Sequence, residues 1–397
     1  MAYTGPVYTF DHDWKQAIAE RLAWNTNVIP KRRGLEQRIR LLKYPRRTLS
    51  YTPFLSNRAM RVAFERFLDA NQNELCVIPV LSDERRLAAS YSAGATVIDV
   101  ETDGFDYDAG AYMLRRVDYR TYEAVEIESV ASGSVTLAEP IESDWDAGDR
   151  VCPARLGFVP GEVTLSYVGS DFKASEIDFE IRQFSTNRFD GASPLTYRTI
   201  ELYAARPEAS GKLDQKPERR VRRIDFETGN IRNISVDATP TKQVGHQRKL
   251  FGRGEITDFL AFLNRRAGRQ LPFWFPTWER DFDLVSSTGS TKVVTDEGYA
   301  ERFATGKERI DIIKRHSGTT AHIHRITAAV DNGDDTETLT HFGLPDLVVT
   351  LPRKYPTPHV SFLRFCRLEA DAVELSWDTS NHVTVSLGFR ELYEGRP

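Results

Sequence analysis

The chain has 397 residues, room for two or three domains each large enough to bury a core. Its 40% hydrophobic and 28% charged content is that of ordinary soluble globular proteins. With 53 basic and 57 acidic residues the net charge is −4, which excludes the bulk basic field that nucleic-acid binding needs.

From the N-terminus, Met1-Ala-Tyr-Thr-Gly-Pro has neither a basic n-region nor an apolar h-region, so no signal peptide is expected. No apolar run approaches the roughly 20 residues of a membrane span. A short helix is expected from Asp13 to Ala23, with Asp11 or Asp13 as its cap. Extended segments follow at Arg38–Leu42 and Arg47–Tyr51, with Pro45 favouring an extended Tyr44. Ser56 or Asn57 is a good cap for a helix over Arg58–Ala70, whose apolar face is Val62, Phe64, Phe67 and Leu68. Leu75–Leu81 reads as a buried strand interrupted by Pro79. From Leu87 to Val151 the pattern changes to short alternating segments at Ala95–Val100, Ala111–Arg116, Ala124–Val130 and Ser134–Leu137, separated by turn residues. A closing hairpin, Gly161–Phe184, ends this part.

The same order then recurs. Ile231–Val236 and Gln243–Phe251 are extended. Glu255–Ala267 is helical, with Ile256, Phe259, Leu260 and Leu263 on one stripe and Gly268 as its C-terminal glycine. Leu271–Trp278 is the strand. A second β-rich stretch, Val285–Leu351, holds Lys292–Thr295, Ile310–Lys314, His322–Ala328 and Thr336–Thr340, and Val360–Phe389 closes it.

The recurrence is visible residue by residue. Arg58–Leu68 matches Arg253–Leu263 at an offset of 253 − 58 = 195, which Pro45/Pro240 and Gly94/Gly289 keep. Val163, Leu165, Ser166, Tyr167 and Phe179 match Val373, Leu375, Ser376, Trp377 and Phe389 at 373 − 163 = 210. Two colinear blocks argue for duplication of a whole unit, too long for a solenoid repeat. The expected domains are 1–85 plus 156–190 for copy one, with 86–155 inserted as a small β-domain. Residues 191–225 are a partly ordered linker, in which Thr199-Ile-Glu-Leu-Tyr looks like a strand. Copy two is 226–284 plus 356–397, with 285–355 inserted.

Chemical motifs are sparse. Cys76, Cys152 and Cys366 are isolated and odd in number, which argues for reduced core thiols over a disulfide framework or zinc site. There is no P-loop, G-x-S-x-G or H-E-x-x-H. His322 and His324 share a strand face near His316, but a third metal ligand lacks support, and exposed strand histidines are the simpler reading. Glu142, Asp144 and Asp146 around Trp145 have glycosidase-like residue types, while Asp146-Ala-Gly-Asp149 also reads as a plain turn. The aromatic strand Pro272–Trp278 is either a carbohydrate platform or core packing, and packing is favoured. A basic segment (Lys31, Arg32, Arg33, Arg38, Arg40, Lys43, Arg46, Arg47) precedes an acidic one (Asp99, Glu101, Asp103, Asp106, Asp108). It reads as solvated surface or as complementary charge between subunits.

Gly34-Leu-Glu36-Gln-Arg38, Pro45-Arg46-Arg47, the helix ending Phe67-Leu-Asp-Ala, and the strand with Pro79 and Asp83 resemble the distal tail and tail-tip (baseplate) proteins of long-tailed, siphovirus-like bacteriophages and gene-transfer agents. Phe259-Leu-Ala-Phe-Leu263, Gly268-Arg269, Phe273–Trp278 and Asp281 resemble the same family. The aligned Ile231-Arg-Asn-Ile-Ser lacks the G-x-E-x-R pattern. The resemblance implies a mainly β fold with α+β character. It comprises two tandem tail-tube-like β-sandwich domains, each with one flanking helix, to which the alternating segments add an inserted small β-barrel or sandwich in each. It also implies a virion structural protein, folded in the host bacterial cytoplasm, with no catalytic or metal residues and no cofactor. Such a protein forms an oligomeric ring around the tail channel and joins the tail tube to hub or fibre proteins. The ring would be a hexamer, or a trimer with pseudo-sixfold symmetry. Glu36, Arg38, Arg46 and Arg47 are the candidate inter-subunit contacts. A tail-tip carbohydrate-binding adhesin using Trp274, Trp278 and Trp145, or a cell-wall hydrolase, is the alternative.

Overall fold

In the first half, strands β1 (Ile18–Ala23), β2 (Thr26–Pro30), β3 (Glu36–Arg40) and β4 (Arg46–Tyr51) lead to α1 (Arg58–Asn71). Then come β5 (Leu75–Pro79), β6 (Arg85–Arg86), β7 (Val97–Asp99), β8 (Tyr112–Arg116), β9 (Tyr122–Ala131) and β10 (Ser134–Leu137). Last are β11 (Arg150–Phe158), β12 (Leu165–Val168), β13 (Asp171–Ala174) and β14 (Ile177–Ile181). This computed structural model describes residues 5–31, 35–168, 171–174, 176–184, 187–189, 191–208, 215–219, 221–229, 231–235, 241–295, 298–304, 311–315, 318–341, 345, 347–355 and 359–392.

The helix expected over Asp13–Ala23 is not formed; most of that span is the strand β1. Ile18, Glu20 and Leu22 are buried and stand two apart, a period-two pattern. Pairing with β4 on one edge and a distant strand on the other overrides local helix propensity. Asp13 caps only a turn, accepting from the Lys15 amide at 3.2 Å. α1 forms as expected: Asn57 Oδ1 accepts from the Met60 amide at 2.9 Å, and Phe64 and Leu68 face the core.

The second half contains β15 (Thr196–Tyr197), β16 (Ile200–Glu201), β17 (Gln215–Glu218), β18 (Val221–Asp225), β19 (Ile231–Ser235) and β20 (Thr241–Phe251). These precede α2 (Arg253–Arg266), β21 (Phe273–Pro276), β22 (Leu284–Thr288), β23 (Thr291–Thr295) and α3 (Tyr299–Ala304). β24 (Asp311–Arg315), β25 (Gly318–Asp331), β26 (Thr336–His341), β27 (Leu347–Tyr355), β28 (His359–Leu368), β29 (Ala372–Thr379) and β30 (His382–Glu391) complete it. Strands make up 52% and helices 11%, so the fold is mainly β, with large antiparallel sheets.

Strand registers in the two halves coincide. β1 pairs Ala23 with Arg46 of β4, and β17 pairs Glu218 with Thr241 of β20, both partners 195 positions on. The hairpin β2–β3 pairs Pro30 with Glu36; β18–β19 pairs Asp225 with Ile231. Leu49 opposes Phe179, and Val244 opposes Phe389. Ala154 of β11 opposes Tyr112, and Leu363 of β28 opposes Asp311. An irregularity recurs too: the pairing shifts before Leu137–Ile127 and before His341–Ile326.

Two expected boundaries move. The segment expected to be a linker, 191–225, supplies the opening elements of the second half. Leu202 forms a parallel bridge to Trp274, and the Tyr203 amide donates to the Trp274 carbonyl at 2.8 Å. Val7 and Tyr8 do the same with Val77, at 2.9 Å. The boundary at 155/156 falls inside β11, which pairs with β8 through Arg150–Ala154 and with β5 through Ala154–Phe158. One strand thus spans the inserted β-region and its parent. The insert still has its own core, including Ile98, Phe105, Met113 and Trp145.

The parents of the two halves share a core. Tyr8, Phe64 and Phe179 belong to the same buried cluster as Phe259, Phe273, Trp377 and Phe389. β1 lies between β4 and β29, so a sheet continues from one half into the other.

Candidate functional site at the junction of the halves

Beside the β1–β29 seam, charged side chains that the fold removes from water meet in pairs. Glu20 points to the core face of β1, since its neighbours Ile18 and Leu22 do. Its Oε1 accepts from Arg47 Nε at 2.8 Å and Arg188 Nη1 at 2.6 Å. Its Oε2 accepts from Arg188 Nη2 at 2.8 Å and Trp377 Nε1 at 3.0 Å. Arg47 also bonds Asp106, which accepts from Arg155 at 2.7 Å; Arg155 reaches Asp108 at 3.1 Å. The Asp106 amide donates to Asp83 at 2.9 Å. Asp83 in turn accepts from Arg253 Nη1, at the start of α2, at 2.6 Å. The Arg253 guanidinium lies over Phe105 at 4.2 Å and Trp377 at 5.1 Å.

Among the described ion pairs four acids (Glu20, Asp83, Asp106, Asp108) face four arginines (Arg47, Arg155, Arg188, Arg253), so these pairs balance. Burial alone would raise the Asp83 carboxyl, but the Arg253 and Arg188 charges hold it below its ordinary range. Burial would lower the Arg47 guanidinium, yet Asp106 and Glu20 hold it firmly charged. Opposite charges paired in this way fix geometry.

A second fastening runs along the β2–β3 hairpin, from Glu36 beside its turn to Thr26 at its base. Glu36 accepts from Arg367 Nε at 2.8 Å and Nη2 at 3.0 Å. Asp371 accepts from the Thr26 amide at 2.9 Å and the Arg269 amide at 2.9 Å, and Arg269 Nη2 donates to the Thr26 carbonyl at 2.8 Å.

The sequence-selected contact residues therefore divide. Glu36 and Arg47 are engaged within the chain, Glu36 with Arg367 and Arg47 with Glu20 and Asp106. Arg38 is half-buried beside Glu36, where its charge helps Arg367 to offset the burial that would raise the Glu36 carboxyl. Arg46 is exposed. The basic and acidic segments do meet through Arg47 and Asp106, but inside one chain; Arg32 and Arg33 lie outside the described residues. Glu20, Asp83, Arg188, Arg253, Arg367 and Trp377 carry the junction without a sequence motif. The one available signal was Glu20 on the buried phase of an alternating strand.

The three tryptophans proposed as a sugar platform are buried: Trp145 at 0%, Trp274 at 2% and Trp278 at 6% exposure. Trp145 Nε1 donates to Glu123 at 2.9 Å and Trp274 Nε1 to the Tyr197 carbonyl at 3.1 Å, bonds typical of core indoles. Asp144 caps the Ala93 amide at 2.8 Å, and Asp146 and Asp149 close a turn, the Asp149 amide donating to the Asp146 carbonyl at 3.0 Å. Glu142 is exposed and donates its amide to Glu123 at 2.6 Å. Cys76, Cys152 and Cys366 are buried thiols outside any disulfide.

His322 is half-buried and His324 is buried, which corrects the reading of both as exposed; His316 lies outside the described residues. The ring of His324 lies 4.1 Å from His341, and Lys292 Nζ is 2.6 Å from His341 Nε2. By register this Lys292–His324–His341 group occupies the places of Ile98, Val125 and Leu137, all apolar core in the first insert. Burial, then the neighbouring Lys292 and His341 charges, push His324 down to about 3. Among the described residues no group of three His, Cys, Asp or Glu is arranged to hold a metal, and no helix is long and apolar enough to cross a membrane.

A groove of about 710 Å³ runs between residues 192–208 and α2. Two ion pairs line it, Arg265 with Glu201 at 2.7 Å and Arg248 with Glu255. A scan against protein-family models gives no match, and a search of curated proteins gives none.

Proposed function

We propose that this chain is a structural ring component of a phage tail tip or baseplate, built by tandem duplication of one β-rich unit, and that its function is geometry. The observation that carries this reading is the coincidence of strand registers between the halves, joined head to tail through β1 and β29. A unit that receives a neighbour on one side and offers the same kind of edge on the other propagates, and it closes into a ring if the rotation allows. The balanced charge network supports a positioning role, since buried ion pairs specify one arrangement of rigid bodies. Three chains would then present six units around the tail channel and adapt a sixfold tube to a threefold hub. Native mass spectrometry of the purified chain tests this: three chains are expected, and a monomer at every concentration up to tens of micromolar overturns it.

A further inference from the structure

We infer that the chain carries an unfilled counterpart of its own internal junction, and that a second copy of this chain fills it. The inference rests on the ring reading above and assigns the surface through which the ring forms.

The internal junction has a giving and a receiving side. Strand β1 and the hairpin β2–β3 give; β28 and β29 receive, with Arg21 opposite Glu374 and Glu36 on Arg367. The second half has the giving elements again, as β17 and the hairpin β18–β19. The first half has the receiving elements again, as the end of β11 and β12. Among the described pairings β17 bonds β20 on one edge and β12 bonds β13 on one edge.

Register identifies which residues would meet. Ile231 of β19 stands where Glu36 stands, and Phe158 of β11 stands where Arg367 stands. The internal ion pair is thus replaced by two apolar side chains, and both lie in the open, Ile231 at 51% and Phe158 at 41% exposure. An exposed apolar residue on each of two surfaces that the fold has already matched once suits an interface with an apolar centre.

The charges agree with the same docking. Glu180 stands where Arg390 stands, and with Glu176 and Asp178 it makes the receiving sheet acidic. Burial, then Asp178 and Glu374, raise the Glu176 carboxyl, as expected for crowded acids. The giving hairpin carries exposed Arg222, Arg223 and Arg232, a small basic excess over Asp225 and Glu227. Opposite fields of this kind choose the partner and its register. One ladder bond is withheld. Trp24 donates its amide to Asp371 across the internal seam, so alternation turns the Leu22 amide to that side too. Pro217 occupies the Leu22 position and has no N–H to give. Side-chain contact therefore carries more of the outer junction than of the inner one, and the proline blunts the edge of the free chain.

The test uses the full chain and three variants: Phe158→Arg, Ile231→Glu, and both together. Both positions are exposed, so each variant should keep the wild-type melting temperature. Sedimentation equilibrium should show the wild type associating and each single variant weakened at least tenfold. The double variant, which copies the Arg367–Glu36 pair into the outer junction, should regain assembly. A wild type that assembles while both single variants assemble equally well overturns this surface and leaves the ring reading standing. Loss in the singles with no recovery in the double overturns the assigned contact. A wild type that never associates overturns both readings.

Discussion

Glu36 and Arg367, 331 positions apart in the chain, form a two-pronged pair at 2.8 and 3.0 Å. The pair fastens the first-half hairpin to a strand of the second half, and both side chains are largely out of water. Arg367→Ala should destabilise the fold by about 3 kcal/mol, because it strands a half-buried carboxylate. The Glu36 carboxyl is held below its ordinary value of 4.5, burial being outweighed by Arg367. A depressed carboxyl stabilises fully above the unfolded-state value and loses that contribution as pH falls below it. Urea melts should therefore show a wild-type advantage at pH 7 that narrows at pH 3. An advantage independent of pH would contradict the pairing.

Arg253 neutralises Asp83, which is fully buried. Arg253→Met should cost about 3–5 kcal/mol by removing that carboxylate's ion-pair partner. Arg253→Met with Asp83→Asn should recover part of the loss. Thermal unfolding of the two variants checks this; equal melting temperatures would mean that the charge is not what matters there.

The buried Lys292–His324–His341 group makes the second insert acid-sensitive. His324 is held neutral down to about 3 in the fold but takes a proton near 6.5 once unfolded. A base with a depressed folded value loses stability as pH falls from 6.5 toward 3. Replacing the group by its first-half counterparts (Lys292→Ile, His324→Val, His341→Leu) should raise the melting temperature at pH 5 by several degrees and do less at pH 8. The same gain at both values would contradict the titration.

Gly268 has φ of 67°, and a Cβ there would press on Asp371 and come within 2.9 Å of the Trp24 Cβ. Asn73 adopts φ of 62° at the equivalent place in the first half. Gly268→Ala should therefore destabilise by more than the roughly 1–2 kcal/mol of left-handed strain, because it also opens the seam between the halves. Near-wild-type denaturant midpoints would contradict that packing.

Much of the fold was legible because its signals are local. Asn57 before an apolar stripe and short alternating segments between turn residues need no knowledge of distant partners. The junction is not local. Ile18 to Ala23 is a strand because Trp377 and Ser50 lie on either side of it, and no nearby residue announces either. Arg47 and Asp106 were visible as members of opposite charge runs, but not as partners in one chain. Trp145, Trp274 and Trp278 were ambiguous by composition, and burial decided them. The start of the second half was hidden because Leu202-Tyr203 resembles Val7-Tyr8 only weakly, while its pairing to Trp274 repeats theirs to Val77.

A symmetry-free particle reconstruction of the purified assembly, viewed down its axis, bears most directly on the account. Three chains presenting six alternating copies of one β-rich unit, with Ile231 of each chain against Phe158 of the next, is the predicted image. Six separate chains around the axis, or a lone chain with no neighbour on β17 or β12, would contradict it.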